Sequence, residues 1–233
     1  MKKNLILIFV ILLFSLQGFS QYKSMMAISM GPSFAVGNFA NKNPNNSTSG
    51  IATTGAVFNI HFIHLLNENL GIAAILRGQS NATDAKAIED EMKKMYPQVQ
   101  WTVQSNYWGI GGLLFGGFGT WPLYNKCSFD AKFLIGIANA TSPEITITGK
   151  SALATEWVKQ NSTPANTFAF MPGVGLNLHP TNRISILLNL DYLLANPDFI
   201  NVNTYSSTGQ LVKYAFSQKM ETINISLGFG WHF

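Results

Sequence analysis

The sequence predicts an all-β fold, an eight-stranded antiparallel up-and-down barrel that crosses a membrane, and three observations support this prediction. Eight segments alternate large apolar residues with small or polar ones. The connections between these segments alternate between short and long. The positions opposite the apolar ones are mostly Gly, Ala, Ser and Asn. Since successive side chains of a strand point to opposite faces, each segment has one large apolar face and one small face.

The alternation is most regular in the last segment, residues 222–233. Its apolar positions hold Ile223, Ile225, Leu227, Phe229, Trp231 and Phe233. The residues between them are small or polar. We expect this segment to be the eighth strand and to pair with residues 25–37, because a barrel of this kind closes by joining its last strand to its first.

Seven further segments repeat the pattern, at residues 26–36, 55–62, 70–77, 107–118, 129–138, 168–179 and 184–192. A tilted strand needs about 9–11 residues to cross a bilayer, and each segment is about that long. The fourth segment is the least regular, because glycines occupy both of its faces. Glycine inside a strand marks a bulge, a bend or a close approach, which the curved wall of a small barrel requires.

The connections predict how the barrel is oriented. Three are short turns, at residues 67–69, 121–126 and 180–182. Four are long, at residues 38–53, 79–105, 139–166 and 196–220. Short periplasmic turns that alternate with long extracellular loops are typical of bacterial outer-membrane barrels, and this arrangement places both ends of the barrel domain on the periplasmic side.

Two of the long loops show helical patterns. In the second, Ile88, Met92 and Met95 lie on one apolar stripe, and Pro97 ends the predicted helix. In the third, residues 151–160 predict another short helix. These helices could form a binding surface over the barrel mouth, or they could only pack the loops against its rim.

The small face is predicted to point into the barrel and the apolar face into lipid. A water-covered wall would carry Lys, Glu and Asp, whereas small side chains suit the narrow lumen of an eight-stranded barrel. Aromatic residues are expected at the two membrane–water interfaces. The candidates are Trp121, Tyr124, Trp231 and Phe233 at the periplasmic level, and Tyr107, Trp108 and Tyr192 at the outer level.

Composition excludes several other classes of protein. Charged residues make up 11% of the chain, less than half of the ~25% that is usual in soluble domains. The net charge of +4 is not gathered into a basic stripe, so we expect no nucleic-acid partner. The single Cys127 excludes an internal disulfide.

The chain is predicted to divide into a signal peptide, residues 1–20, and a barrel domain, residues 21–233. Lys2 and Lys3 precede an apolar run at residues 5–16, and small residues precede a cleavage site between Ser20 and Gln21. The apolar run is short for a spanning helix.

Four charged residues fall at inward positions of the predicted strands: Arg77, Asp130, Lys132 and Asp191. An unpaired charge in such a lumen would cost several kcal/mol, so we expect pairing among them. The cluster could serve as a gate or a proton path, or its charges could only neutralise one another inside a packed barrel.

No catalytic, metal-binding or cofactor-binding residue is assigned, and the chain is predicted not to be an enzyme. Histidine is the usual base near neutral pH, but His61, His64, His179 and His232 all lie outside the long loops. The acidic residues of these loops lack the spacing of a metal site.

In this pattern of strands and loops, residues 22–233 resemble the small outer-membrane barrels of the OmpA-like and OmpX-like kind. The resemblance implies location in the bacterial outer membrane, contact with the lipid bilayer, and insertion by the outer-membrane assembly machinery. It also implies a salt-bridged lumen, and a recognition signal for this machinery formed by Phe229, Trp231 and Phe233. Two functions stay open: a structural or surface-binding barrel whose loops contact a ligand or partner protein, and a conduit for a small or hydrophobic solute.

Overall fold

The computed structural model describes residues 23–233, which form thirteen strands and one helix. The signal-peptide prediction, including Ser20 and Gln21, lies outside these residues. In chain order the elements are β1 (Ser24–Ala35), β2 (Ala52–Leu65), β3 (Leu70–Thr83), α1 (Ala85–Met95), β4 (Gln100–Ser105), β5 (Tyr107–Tyr124), β6 (Cys127–Thr141), β7 (Ile145–Lys150), β8 (Thr155–Gln160), β9 (Pro164–Thr181), β10 (Ile184–Ala195), β11 (Asp198–Ser206), β12 (Leu211–Ser217) and β13 (Met220–His232).

Eight of the strands form a closed barrel in the order β1-β2-β3-β5-β6-β9-β10-β13, and β13 returns to β1. Every neighbouring pair is antiparallel. The closing pair runs from Met25 opposite His232 to Ala35 opposite Thr222, as predicted. The barrel strands contain 12 to 18 residues, enough to cross the hydrocarbon core of a bilayer.

The outward face of the barrel is an apolar band. Met30, Phe115 and Phe168 are 64%, 63% and 73% exposed, whereas the inward Ser33 and Asn59 are fully buried. Among the described barrel strands, the outward positions carry no Lys, Arg or Asp. Such a band is the lipid-facing surface of a transmembrane barrel. The predicted fold class and the predicted orientation of the two faces are therefore confirmed.

The glycines of the predicted fourth segment let neighbouring backbones approach each other. A Cβ at Gly112 would lie 2.6 Å from the carbonyl oxygen of Ile137, and one at Gly116 would lie 2.1 Å from that of Phe133. Both are shorter than any normal contact, so the tightly curved wall between β5 and β6 requires glycine at these positions.

The helix predicted in the second long loop is present as α1. Its apolar stripe faces the protein through Ile88, which is buried. Lys93 and Glu89 form one of its i,i+4 ion pairs. Within residues 23–233, no helix has the length and apolar character needed to cross a membrane.

The remaining five strands form an open extracellular sheet in the order β12-β11-β8-β7-β4. Each of them continues a barrel strand after a short break. Only Asn106 separates β4 from β5, and residues 142–144 separate β6 from β7. The extracellular sheet is therefore an upward extension of the barrel wall on the side of β5, β6, β9, β10 and β13.

The prediction of a helix in the third long loop is wrong. Residues 155–160 form β8, which pairs with β7 on one edge and with β11 on the other. Leu153, expected on the helix, lies in the turn between β7 and β8 and is 99% exposed. Pairing with strands that are distant in sequence overrides a weak local helical pattern.

Candidate functional site

Lys132 and Asp191 form an ion pair inside the lumen. Lys132 Nζ lies 2.9 Å from Asp191 Oδ1, and their side chains are 5% and 1% exposed. Lys132 also donates a hydrogen bond to Asn189 Oδ1 at 3.2 Å. The pair is a charge contact without the alignment of a hydrogen bond, because neither carboxylate oxygen of Asp191 has a hydrogen-bond partner among the described residues. In this buried site, each charge offsets the desolvation of the other.

Pairing was expected among the four lumen charges, and within the described residues Arg77 and Asp130 form no ion pair. The Arg77 guanidinium donates to the side-chain oxygens of Asn59 and Gln79. Asp130 Oδ1 accepts a hydrogen bond from Thr120 at 2.6 Å, nearer the periplasmic end. The direct hydrogen-bond partners of these two residues are thus neutral polar groups.

Gly173 of β9 provides the space that the ion pair occupies. A Cβ at this position would lie 2.1 Å from Asp191 Oδ1 and 2.8 Å from Lys132 Cε. Both distances are shorter than normal contacts, so a side chain at position 173 would require the ion pair to shift from its observed position.

A layer of amide and hydroxyl groups fills the lumen on the extracellular side of this pair. Gln79 Nε2 donates to Asn81 Oδ1 at 2.8 Å and to Thr222 Oγ1 at 3.2 Å. Ser33 donates to the same Asn81 oxygen at 3.2 Å. These groups come from β1, β3 and β13, so their hydrogen bonds cross the lumen and close it, as in a small barrel whose side chains fill its interior.

Four aromatic rings seal the extracellular end of the lumen, and we call them the aromatic plug: Phe39, Trp108, Phe199 and Phe216. Trp108 lies at the centre, with ring centroids 5.6, 5.9 and 6.5 Å from the other three. Its indole N–H donates to the carbonyl oxygen of Gly50 at 2.9 Å. Loop residues 36–51 are thereby fixed over the barrel mouth.

The expectation that Trp108 lies at the outer membrane interface is wrong. Trp108 occupies an inward position of β5 and is 5% exposed, whereas its neighbour Tyr107 points outward and is 64% exposed. A consecutive aromatic pair on a strand has one ring on each face. The partners of the inward Trp108 ring come from loops that pack over the barrel mouth, so they can be seen only in the tertiary structure.

At the periplasmic end, two histidines meet across a buried serine. Ser185 Oγ lies 2.9 Å from His179 Nδ1 and 2.6 Å from His232 Nε2. His179 Nε2 lies 3.3 Å from Ser128 Oγ, which donates to Asp130 Oδ1 at 3.2 Å. The sequence does not predict this cluster from the role of histidine as a base, because none of the four histidines lies in a long loop. The inward strand positions of both histidines were the signal that could have found it.

Between this cluster and the ion pair lies an enclosed cavity of about 10 Å³. His61, Asp130, Lys132 and Asn189 supply its polar lining. His61 is 1% exposed, and its Nε2 lies 2.8 Å from Ser29 Oγ. The cavity has room for about one water molecule, so the lumen offers no open channel at this level.

The two edges of the extracellular sheet differ in how they are covered. Helix α1 packs beside β4, and the Glu89 carboxylate accepts a hydrogen bond from the Val103 N–H. Strand β12 pairs with β11 on one edge. Within the described part of the chain, the other edge of β12 has no backbone hydrogen-bond partner. The sheet therefore has one covered edge and one open edge.

The two sides of the open edge differ in charge. Val212, Tyr214 and Phe216 alternate along one side of β12 and are 50% exposed, 39% exposed and half-buried. Leu211, Lys213 and Ser217 lie on the other side, where Leu211 is 46% exposed. Lys213 forms no ion pair within residues 23–233.

Asp84 caps the N-terminus of α1 and ties it to the first long loop. Its Oδ1 accepts a hydrogen bond from the Ala87 N–H at 3.1 Å, and its Oδ2 lies 2.8 Å from Lys42 Nζ. The hydrogen bond from Lys42, together with that from the Ala87 N–H, lowers the pKa of the Asp84 carboxyl below its ordinary value.

Replacing Asp84 by Ala is expected to destabilise α1 by about 1 kcal/mol, the usual cost of losing a helix cap. Amide hydrogen exchange over residues 85–95 measures this loss. Because the pKa of Asp84 is lower in the folded state, its stabilisation is complete above the ordinary pKa of about 4 and is lost as the pH falls through the folded value. The difference between wild type and variant should therefore shrink in acid. Asp90→Ala is the control, since Asp90 lies on the exposed face of α1 and pairs with Lys86.

The predicted assembly-signal residues Phe229, Trp231 and Phe233 lie on the outward face of the last strand or directly after it. They are 50%, 47% and 38% exposed. Their side chains are thus available to lipid or to another protein, and their recognition role stays a prediction. Among the described residues, no group of three or more His, Cys, Asp or Glu could hold a metal ion.

Comparisons with known proteins reach only as far as the fold. No protein-family model matches the chain, and no curated protein sequence matches it. The structure is similar to that of Ail, the attachment invasion locus protein of Yersinia pestis, with 13% identity, a TM-score of 0.44, and 91% of this chain and 99% of that chain covered. It is similar to a major outer membrane protein from Thermus thermophilus, with 10% identity and a TM-score of 0.49. The match covers 90% of this chain and 99% of that chain. It is also similar to the outer membrane protease OmpT from Escherichia coli, with 7% identity and a TM-score of 0.47. That match covers 93% of this chain and 99% of the OmpT chain.

Proposed function

We propose that the mature chain resides in the bacterial outer membrane and binds a partner at the cell surface through the extracellular sheet, without acting as an enzyme. The observation that supports this function is the open edge of β12, held above a lumen that side chains fill. Export after cleavage between Ser20 and Gln21 belongs to the same proposal, as does recognition of Phe229, Trp231 and Phe233 by the assembly machinery.

An uncovered edge strand is a binding surface because its unpaired N–H and C=O groups can accept another strand. Folded proteins usually cover or charge such edges. Here α1 and the Glu89 carboxylate cover the β4 edge, while β12 keeps an open edge with exposed Val212 and Tyr214. This contrast within one sheet supports β12 as the binding edge.

The chemistry of β12 indicates what kind of segment would bind. An added strand would place apolar side chains beside Val212 and Tyr214 on one side of the sheet. On the other side, it would bring a residue close to Lys213, where a carboxylate is favoured by charge. The partner that fits is therefore an extended peptide segment with alternating apolar residues and an acidic residue on its polar face.

The filled lumen argues against the alternative of a conduit. The aromatic plug, the amide layer and the Lys132–Asp191 pair occupy successive levels of the barrel. The cavity of about 10 Å³ on the periplasmic side of the ion pair is far smaller than a permeating solute needs.

The experiment is a selection of randomised extended peptides, displayed on phage, against the protein in nanodiscs. The selected peptides are expected to protect the backbone amides of residues 211–217 from hydrogen exchange. The Val212→Lys/Tyr214→Lys variant should weaken their binding by about tenfold or more, because it removes both apolar contacts on that side of β12 and adds two positive charges to the edge. Leu153→Lys is the matched control, since it adds a charge to the exposed turn between β7 and β8 and should bind normally. Peptides that protect a different region, or that bind the β12 variant unchanged, would contradict the proposal.

A further inference from the structure

Beyond surface binding, we infer that the buried imidazole of His61 exchanges protons with the periplasm through a relay of side chains and one bound water. The relay begins at His232 and His179 near the short turns. It continues through Ser128 and Asp130 to the enclosed cavity, and it ends at His61.

The first steps lie at the periplasmic end, where His179 and His232 are only partly buried. His232 Nε2, Ser185 Oγ and His179 Nδ1 form an uninterrupted hydrogen-bonded series with distances of 2.6 and 2.9 Å. Ser185 itself is fully buried. A proton that binds either imidazole from the periplasm therefore has a route into the barrel through the shared hydroxyl.

The next steps lead upward along β6. His179 Nε2 is within 3.3 Å of Ser128 Oγ, and Ser128 Oγ is within 3.2 Å of Asp130 Oδ1. Imidazole, hydroxyl and carboxyl groups can each bind a proton on one side and release one on the other. Each transfer only exchanges hydrogen-bonded protons, so one proton leaves the far end for each that enters, and no group is oxidised or reduced.

The remaining gap is the cavity between Asp130 and His61. Both residues line it, together with Lys132 and Asn189. Asn189 is 6% exposed, and its Nδ2 has no hydrogen-bond partner among the described residues. A buried water needs at least about 10–15 Å³ and two to four polar partners. The cavity of about 10 Å³ lies at the lower end of this range, and its four polar residues can supply the partners. The proposed relay therefore crosses the cavity through a single water.

The relay stops just above His61. Its Nε2 lies 2.8 Å from Ser29 Oγ, to which Ser226 donates at 3.2 Å. Asn59 Nδ2 also donates to Ser29 Oγ. The next groups toward the outside are the amides of the lumen layer and the Arg77 guanidinium, which donate hydrogen bonds but do not pass protons at neutral pH. Above them lies the aromatic plug.

Both cationic and anionic side chains lie near His61. Arg77 from β3 and Lys132 from β6 act on it as cations, Asp130 shares its cavity, and Asp191 neutralises Lys132. The protonation of this group of residues is therefore coupled through His61 to the periplasmic solution and is isolated from the outer medium.

The experiment measures solvent exchange of the His61 ring N–H by NMR, on protein labelled with ¹⁵N-histidine in nanodiscs. Ser128→Ala removes the hydroxyl that links His179 to Asp130, and it should slow His61 exchange by about tenfold or more, the effect of losing one hydrogen-bonded step. Ala73→Leu should slow it similarly by filling the cavity, which Ala73 lines. The matched controls are Ser33→Ala, a buried serine of the amide layer, and Ala74→Leu, the outward neighbour of Ala73. Neither control should change the rate.

Unchanged exchange in Ser128→Ala would overturn the relay. Slowing of equal size in Ser33→Ala would overturn it too, because the effect would then reflect loosened packing and not a lost step. Slowing by Ser128→Ala with normal exchange in a folded Ala73→Leu protein would overturn the water-filled link. Since peptide binding at β12 involves none of these residues, failure of the relay leaves the proposed surface function separately testable.

Discussion

Replacing Gly173 by Ala is expected to break the Lys132–Asp191 ion pair and to destabilise the barrel by about 3–5 kcal/mol. The added Cβ would lie 2.1 Å from Asp191 Oδ1. The Asp191 carboxylate and the Lys132 side chain must therefore shift inside a packed lumen, and a buried ion pair that loses its contact carries a cost of this size. Urea unfolding in detergent, followed by the change in gel migration between unheated and boiled samples, measures the free energy.

Gly117→Ala is the control for this variant, because Gly117 points outward and a Cβ there meets nothing within 4 Å. A second test removes the charges first. In a Lys132→Met/Asp191→Leu background, Gly173→Ala should cost clearly less than in wild type, because the electrostatic part of its cost is gone. Equal unfolding free energies for Gly173→Ala and Gly117→Ala would contradict the claim that the ion pair needs the space left by Gly173.

Replacing Trp108 by Ala is expected to destabilise the protein by about 3 kcal/mol or more, the usual cost of removing a buried aromatic side chain. Trp108 contacts the other three rings of the aromatic plug, and its N–H holds the carbonyl of Gly50. Hydrogen exchange should show faster opening of loop residues 36–51 than of the strands below. Trp121→Ala is the matched control, since Trp121 lies on the outward face near the periplasmic end and is 42% exposed.

The Trp108→Ala variant also tests the filled lumen. Planar-bilayer recordings should show no conductance in wild type and none in the variant, because the amide layer and the Lys132–Asp191 pair remain in place below the plug. Solute-dependent conductance in the variant would show that the plug is the only barrier, and the conduit function would then be favoured.

The barrel could be predicted from the sequence because each of its strands carries a complete local signal. Lipid on one side and a narrow lumen on the other impose opposite requirements at alternate positions, so residues 222–233 reveal both their strand and its outward face. Helix α1 could also be predicted from the sequence, since Ile88 and its apolar neighbours repeat at helical spacing and Pro97 follows them.

Residues 151–160 show why the loops were harder to predict. Their pattern is too short to distinguish helix from strand, and their strand conformation comes from pairing with β7 and β11. The lumen charges show the same limit. Their inward positions follow from strand alternation, but Lys132 lies beside Asp191 while Arg77 lies beside Asn59 only because of the register and stagger of strands far apart in sequence.

The sequence by itself therefore determined the fold class, the orientation of the barrel and its lipid-facing surface, because a bilayer acts on each residue according to which face of its strand it occupies. Only the tertiary structure decided how the lumen is filled, which edge of the extracellular sheet stays open, and which polar groups meet in the periplasmic relay. These features depend on contacts between residues that are distant in the chain. No local periodicity records such contacts, and closure of the barrel and packing of its loops create them.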